Sequence, residues 1–153
     1  IRRPPNSTLF PYTTLFRSSI YPMRKYVVPE LVFGEGASSL AGRYARNLGA
    51  SRPLVVSDAG VDAAGWTGLV VKACVAEGLE CSTFLEVSPN PRCTEVSRGV
   101  EAFLDGDCDA VVVVGGGSPM DAAKGIAAAA ANGADVRTFE GVDKIALPGP
   151  PLV

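Results

Sequence analysis

Short β-branched runs alternate with helical patterns along this chain, and that alternation predicts an α/β fold: a doubly wound parallel sheet with helices on both faces. Three observations carry the prediction. Apolar runs recur at Leu54–Ser57, Cys81–Val87 and Ala110–Val114; amphipathic segments separate them; and glycines stand where those segments end. With 153 residues, 47% of them hydrophobic and 20% charged, the chain can build one core.

From the N-terminal side, Tyr26–Phe33 reads as an extended lead-in or hairpin interrupted at Pro29. Ala37, Leu40, Ala41, Tyr44, Ala45 and Leu48 recur at helical spacing, and Gly49 follows in the position that closes a helix. Leu54–Ser57 is a buried strand. Gly65–Glu77 is a second helix closed by Gly78, with Trp66 read as a core residue, and Cys81–Val87 is a second strand. In a third helix, Thr94–Leu104, Thr94 can cap the start and Val96, Val100, Phe103 and Leu104 form the apolar stripe. Ala110–Val114 is continuously apolar, as expected of a central strand covered on both faces. A fourth helix runs from Pro119 to about Ala131 and ends at Asn132-Gly133.

Composition removes several classes of chemistry. The chain has no histidine, so it cannot by itself carry a Ser-His-Asp triad, a Cys-His dyad or a His-liganded metal. Residues 1–29 hold five bases (Arg2, Arg3, Arg17, Arg24, Lys25) and no acid, which leaves nine of the fourteen bases against all sixteen acids in the rest. An acidic body without a basic, aromatic-interleaved stripe argues against nucleic acid as a partner. No run approaches eighteen apolar residues, which argues against a membrane-crossing helix. Cys74, Cys81, Cys93 and Cys108 lack metal-ligand or redox spacing and read as small packing or surface residues, with a reducing cytoplasmic setting expected.

Residues 8–18, Thr-Leu-Phe-Pro-Tyr-Thr-Thr-Leu-Phe-Arg-Ser, resemble the conceptual translation of a common sequencing adapter more than a targeting peptide. Residues 1–22 are therefore expected to be a non-native, disordered leader. Met23 is a candidate start, and residues 23–153 are expected to form the folded α/β domain.

The segment that carries chemistry joins a buried strand to a helix through Gly115-Gly116-Gly117-Ser118-Pro119-Met120-Asp121. Three glycines let a ligand approach backbone N–H groups, and the positive end of the following helix favours an anion such as a pyrophosphate. Ser118 can act as N-cap, with Pro119 at the first helical position and Asp121 at the third; the alternative reading is a capped helix and nothing more. The pattern matches neither the common GxGxxG dinucleotide fingerprint nor a Walker A loop. Asp58 ends the first long strand, where a carboxylate can accept the hydroxyls of an adenosine ribose and repel a 2′-phosphate, or simply cap a helix. Asn90, between two prolines, either lies extended beside the same sheet edge or forms a rigid turn. Lys124 can neutralise phosphate or pair with Asp121.

With Gly115–Lys124 matching Gly-Gly-Gly-Ser-Pro-x-Asp-x-x-Lys, Asp58 ending a strand, Pro89-Asn90-Pro91, and Phe33-Gly34-Glu35-Gly36 before a helix, residues 26–153 resemble the iron-containing (group III) alcohol dehydrogenase family. Ser118-Pro119 sets it apart from the related dehydroquinate synthases and glycerol dehydrogenases. The resemblance implies the N-terminal NAD-binding α/β domain of a dehydrogenase, with hydride passing between NAD and a small alcohol or aldehyde. It further implies a C-terminal helical domain holding Fe2+ or Zn2+ through one Asp and three His, none of which can be matched here. Carried over, Asp58 binds the adenosine ribose, Asn90 lines the nucleotide cleft, and Gly116 to Met120 hold the pyrophosphate, with Gly115 and Asp121 counted among the cofactor-binding residues. The chain is thus expected to stop before its catalytic half, to be inactive alone, and to associate into homo-oligomers through an exposed apolar face. Glu140–Asp143 and Pro148–Pro151 resemble a subgroup that includes regulatory proteins of ethanol oxidation, so an NAD-binding regulatory module without turnover is the alternative.

Overall fold

The computed structural model describes residues 30–153. The expected leader and residues 26–29 of the Tyr26–Phe33 segment lie outside them, and Glu30–Phe33 carry no strand. Phe33–Val153 form one compact unit that contains every element described below.

Its sheet is parallel throughout, with β1 (Pro53–Val56) between β2 (Ser82–Phe84) and β3 (Ala110–Val113). Val55 stands opposite Thr83 on one side and Val112 on the other. Residues 151–153 run along the far side of β3. There Val111 N–H donates to the Pro151 carbonyl at 2.9 Å and Val113 N–H to that of Val153 at 2.8 Å, so β3 is paired on both edges, as its apolar run predicts. β2 is shorter than the predicted Cys81–Val87. Ser57 N–H donates to Phe84 O at 2.9 Å, and there the β1 chain turns away, leaving residues 85–87 unpaired.

Period-two alternation sorts the strand side chains to two faces. Leu54, Val56 and Val111 pack with Phe84, Phe103 and Ile126 on one side. Val55, Ala110 and Val112 pack with Ala45, Val70 and Cys74 on the other. Helices α4 (Cys93–Asp105) and α5 (Gly117–Asn132) supply the first face, α1 (Ala41–Asn47) and α3 (Trp66–Ala76) the second. This is the doubly wound architecture read from the sequence.

Helix contacts are close at two glycines. A Cβ on Gly42 of α1 would run into the carbonyl of Ala73 in α3, and one on Gly99 of α4 would meet the Ile126 side chain of α5. The expected closures hold at Gly49 and Gly78, both with left-handed backbone. The N–H of Ala50 reaches back to Ala45 O at 3.1 Å, and that of Leu79 to Cys74 O at 3.1 Å.

Several local readings are corrected. The first helix opens as a 3-10 turn, Ala37–Leu40, before α1. A five-residue helix, α2 (Ala59–Ala63), follows Asp58 and precedes α3, in a stretch to which the sequence assigns no element. Trp66 is 57% exposed, not core, because it opens α3 on the outer side while Thr67 points inward. Leu104 is 61% exposed and does not belong to the α4 stripe. Thr94 lies inside α4, whose cap position is Arg92; Glu95 Oε2 accepts the Arg92 N–H at 2.8 Å. That bond, together with the Ser88 hydroxyl, holds the Glu95 carboxyl below the usual range.

All four cysteines are free. Burial pushes the Cys74 and Cys108 thiols up, and Cys81, partly buried beside Cys74, is pushed up to about 12. These three are packing thiols, whereas Cys93 is exposed at the start of α4. Among the described residues no helix is long and apolar enough to cross a membrane.

Candidate functional site

The strands point their carboxyl ends into a cleft of about 620 Å³. Three chain segments wall it: Asp58–Gly60 after β1, Leu85–Pro89 after β2, and Gly116–Pro119 after β3. This is where a doubly wound sheet places a ligand, because loops diverging from neighbouring strands leave a crevice there.

Asp58 meets the helix-cap reading. Its Oδ1 accepts the N–H groups of Gly60 and Val61, each at 2.9 Å, and so caps α2. Its Oδ2 lies on the glycine-turn side, 3.5 Å from where a Cβ on Gly115 would stand. The cap therefore fixes the carboxylate at the cleft wall and leaves one oxygen facing the turn. Gly115 has φ +141°, and a Cβ there would lie 2.8 Å from Pro119 Cγ. The turn thus requires glycine on grounds of both conformation and space.

Gly116 and Gly117 differ from Gly115 in kind. Neither has a positive φ, and a Cβ on either would meet nothing within 4 Å. Among the described residues no contact demands glycine at these two places, although glycine is a poor helix former. What the missing side chains leave open is the cleft itself.

The start of α5 corrects the predicted cap. Gly116 is the N-cap, and the helix begins at Gly117, two residues earlier than expected. Ser118 and Pro119 therefore fall second and third in the first turn, where the missing proline N–H still costs nothing. The Ser118 hydroxyl caps nothing, and Asp121 lies two positions too late to complete a capping box. The first ladder bond is Met120 N–H to Gly116 O at 3.2 Å, so the Gly117 and Ser118 N–H groups precede the ladder at the positive end of a sixteen-residue helix.

The remaining candidates lie at the rim or outside. Asn90 has left-handed backbone, φ +56°, so the turn reading holds and the extended one does not. Asn tolerates that conformation better than most residues. It does not line the cleft; its N–H faces Ser118 Oγ at 3.4 Å, a long contact. Met120 is 45% exposed and also outside the lining. Asp121 pairs with Lys124 at 3.3 Å on the exposed helix surface, so Lys124 is engaged there.

Two hydroxyls near the base of the cleft belong to no motif in the sequence. Ser57 Oγ donates to Val114 O at 2.7 Å, and Thr67 Oγ1 to Ser57 Oγ at 3.2 Å. Their signal was slight: a Ser at the end of an apolar strand and a Thr in the first turn of a helix.

The residues fit a dinucleotide better than they fit a metal. The open Gly116-Gly117 cradle and the anchored carboxylate suit pyrophosphate and ribose. No group of three or more His, Cys, Asp or Glu able to hold a metal occurs among the described residues, and the sequence has no histidine.

Residues 29–153 match the family model for iron-containing alcohol dehydrogenase. The chain is 36% identical over 128 residues to an NAD-dependent methanol dehydrogenase of Bacillus methanolicus, covering 84% of this chain and 34% of that protein. It is 38% identical over 137 residues to a 1,3-propanediol dehydrogenase of Citrobacter freundii, covering 87% of this chain and 35% of that protein. Among solved structures, a 1,3-propanediol oxidoreductase superposes with a TM-score of 0.80 at 36% identity, covering 86% of this chain and 35% of its own. The chain spans about a third of the length of these relatives. On this match of sequence and fold, the chain belongs to the iron-containing alcohol dehydrogenase family.

Proposed function

We propose that residues 23–153 are the NAD-binding part of a metal-dependent alcohol dehydrogenase. In the whole protein, hydride passes between an alcohol and NAD, and this chain alone binds the cofactor without turnover. One observation carries the binding half of the proposal: Gly116 and Gly117 line the cleft yet are required by no contact among the described residues. When bound, NAD supplies the hydride acceptor. The Gly117 and Ser118 N–H groups hold the pyrophosphate at the positive end of α5. Asp58 accepts from the adenosine ribose hydroxyls and repels a 2′-phosphate. Gly115 and Pro119 shape the turn, and Asn90 stands at its rim beside Ser118. Met120 and Asp121 flank the site without lining it. The alcohol and the metal are assigned to the part of the relatives' length that this chain does not span.

The ribose assignment is tested with Asp58→Asn, because Asn caps a helix about as well as Asp does and only the charge is lost. Calorimetry should show an unchanged melting temperature. The preference for ADP over its 2′-phosphorylated analogue should shrink about tenfold, roughly 1.4 kcal/mol. An undiminished preference would remove Asp58 from the site. Alcohol-dependent NADH formation by the 153-residue chain would contradict the absence of turnover.

A further inference from the structure

Ser57 and Thr67 are the two fully buried polar side chains among the described residues; Ser57 adjoins the cleft-lining Asp58 in the chain, and Thr67 bonds to Ser57. A buried hydroxyl is tolerated only when it is hydrogen-bonded, and an apolar residue of the same shape would serve the core at no such cost. Their placement therefore calls for a reason beyond packing.

The bonds they make supply one. Ser57 immediately precedes Asp58, and Val114 immediately precedes Gly115. Through the 2.7 Å bond from Ser57 Oγ to Val114 O, the stems of both cleft walls are joined. Thr67 stands in the first turn of α3, at the far end of the segment that begins with Asp58 and passes through α2. Its 3.2 Å bond to Ser57 Oγ closes the base of that segment. The Asp58 carboxylate is fixed by α2 through the N–H groups of Gly60 and Val61, so the position of α2 sets the position of the carboxylate.

We infer that Thr67 is a positioning residue for nucleotide binding: through Ser57 it holds the loop carrying Asp58 at a set distance from the glycine turn. The inference rests on the cleft being the NAD site. A ligand that bridges Asp58 and the turn depends on this distance, whereas one that touches only the turn does not.

The test is a double-mutant cycle on the 153-residue chain, read by calorimetry with ADP and, separately, with inorganic pyrophosphate. Thr67→Val keeps the side-chain shape and removes the hydroxyl. It should weaken ADP binding about fivefold when Asp58 is present and less than about twofold in an Asp58→Asn background. Pyrophosphate affinity should stay within about twofold in both. Thr67→Ser should restore ADP affinity, and if Thr67→Val does not fold, Ser57→Ala takes its place in the cycle. Equal losses in both backgrounds, no loss in either, or failure of Thr67→Ser to restore affinity would overturn the inference while leaving the site in place. A wild-type chain that bound neither ADP nor pyrophosphate would overturn both.

Discussion

Replacing Gly117 by Val should leave the melting temperature unchanged or slightly raised while weakening ADP or NAD binding by thirtyfold or more, about 2 kcal/mol. The two effects separate because the position is open among the described residues, and on the proposed function the space is filled by ligand. A Cβ on Gly117 meets nothing within 4 Å, and the residue sits at the first helical position of α5. Valine is a better helix residue than glycine by a few tenths of a kcal/mol. Two methyl groups in the cleft, however, would keep a phosphate from reaching the N–H groups of the first turn. Thermal scans together with calorimetry check both halves. A variant that bound ADP as well as wild type would show that the open space is not used by ligand.

Gly42→Ala should do the reverse. Alanine favours the helix by about 1 kcal/mol, yet its Cβ would overlap the backbone carbonyl of Ala73 and crowd the Cα of Cys74. Backbone atoms inside a packed helix pair do not give way as a side-chain end does. α1 must move off α3, with a net loss of about 2 kcal/mol and a drop of roughly 5–10 °C in melting temperature. ADP affinity of the folded fraction should be unchanged, since Gly42 lies on the α1–α3 side of the sheet and not at its carboxyl edge. A melting temperature at or above that of wild type would contradict the close α1–α3 contact.

These two glycines look alike in sequence, and their difference shows what was legible there and what was not. The strands and the helix ends could be read because they rest on local patterns: the apolar run at Ala110–Val114, and glycine after an amphipathic stretch at Gly49 and Gly78. The glycine-rich turn and Asp58 could be placed at one sheet edge because parallel topology sends every strand's carboxyl end the same way. α2 could not be read, since five residues held by one Asp58 cap carry no periodicity. The sequence points to a start of α5 at Pro119, because serine is a common N-cap and proline a common first helical residue, whereas the helix opens at Gly117 with Gly116 as its cap. The size of Trp66 suggests burial, but the neighbouring Thr67 takes the inward position and leaves the indole exposed. The Ser57–Thr67 bond is a tertiary contact between residues ten apart, which no local pattern announces.

The most direct measurement is an amide-resolved NMR titration of the 153-residue chain with ADP. If the glycine turn and Asp58 form the nucleotide site, the Gly117 and Ser118 N–H signals move most, in a saturable way, with Gly60 and Val61 following as the capped carboxylate responds. Shifts that do not saturate, or that are largest at the opposite end of the sheet around Arg46, Ser51 and Gly78, would contradict it.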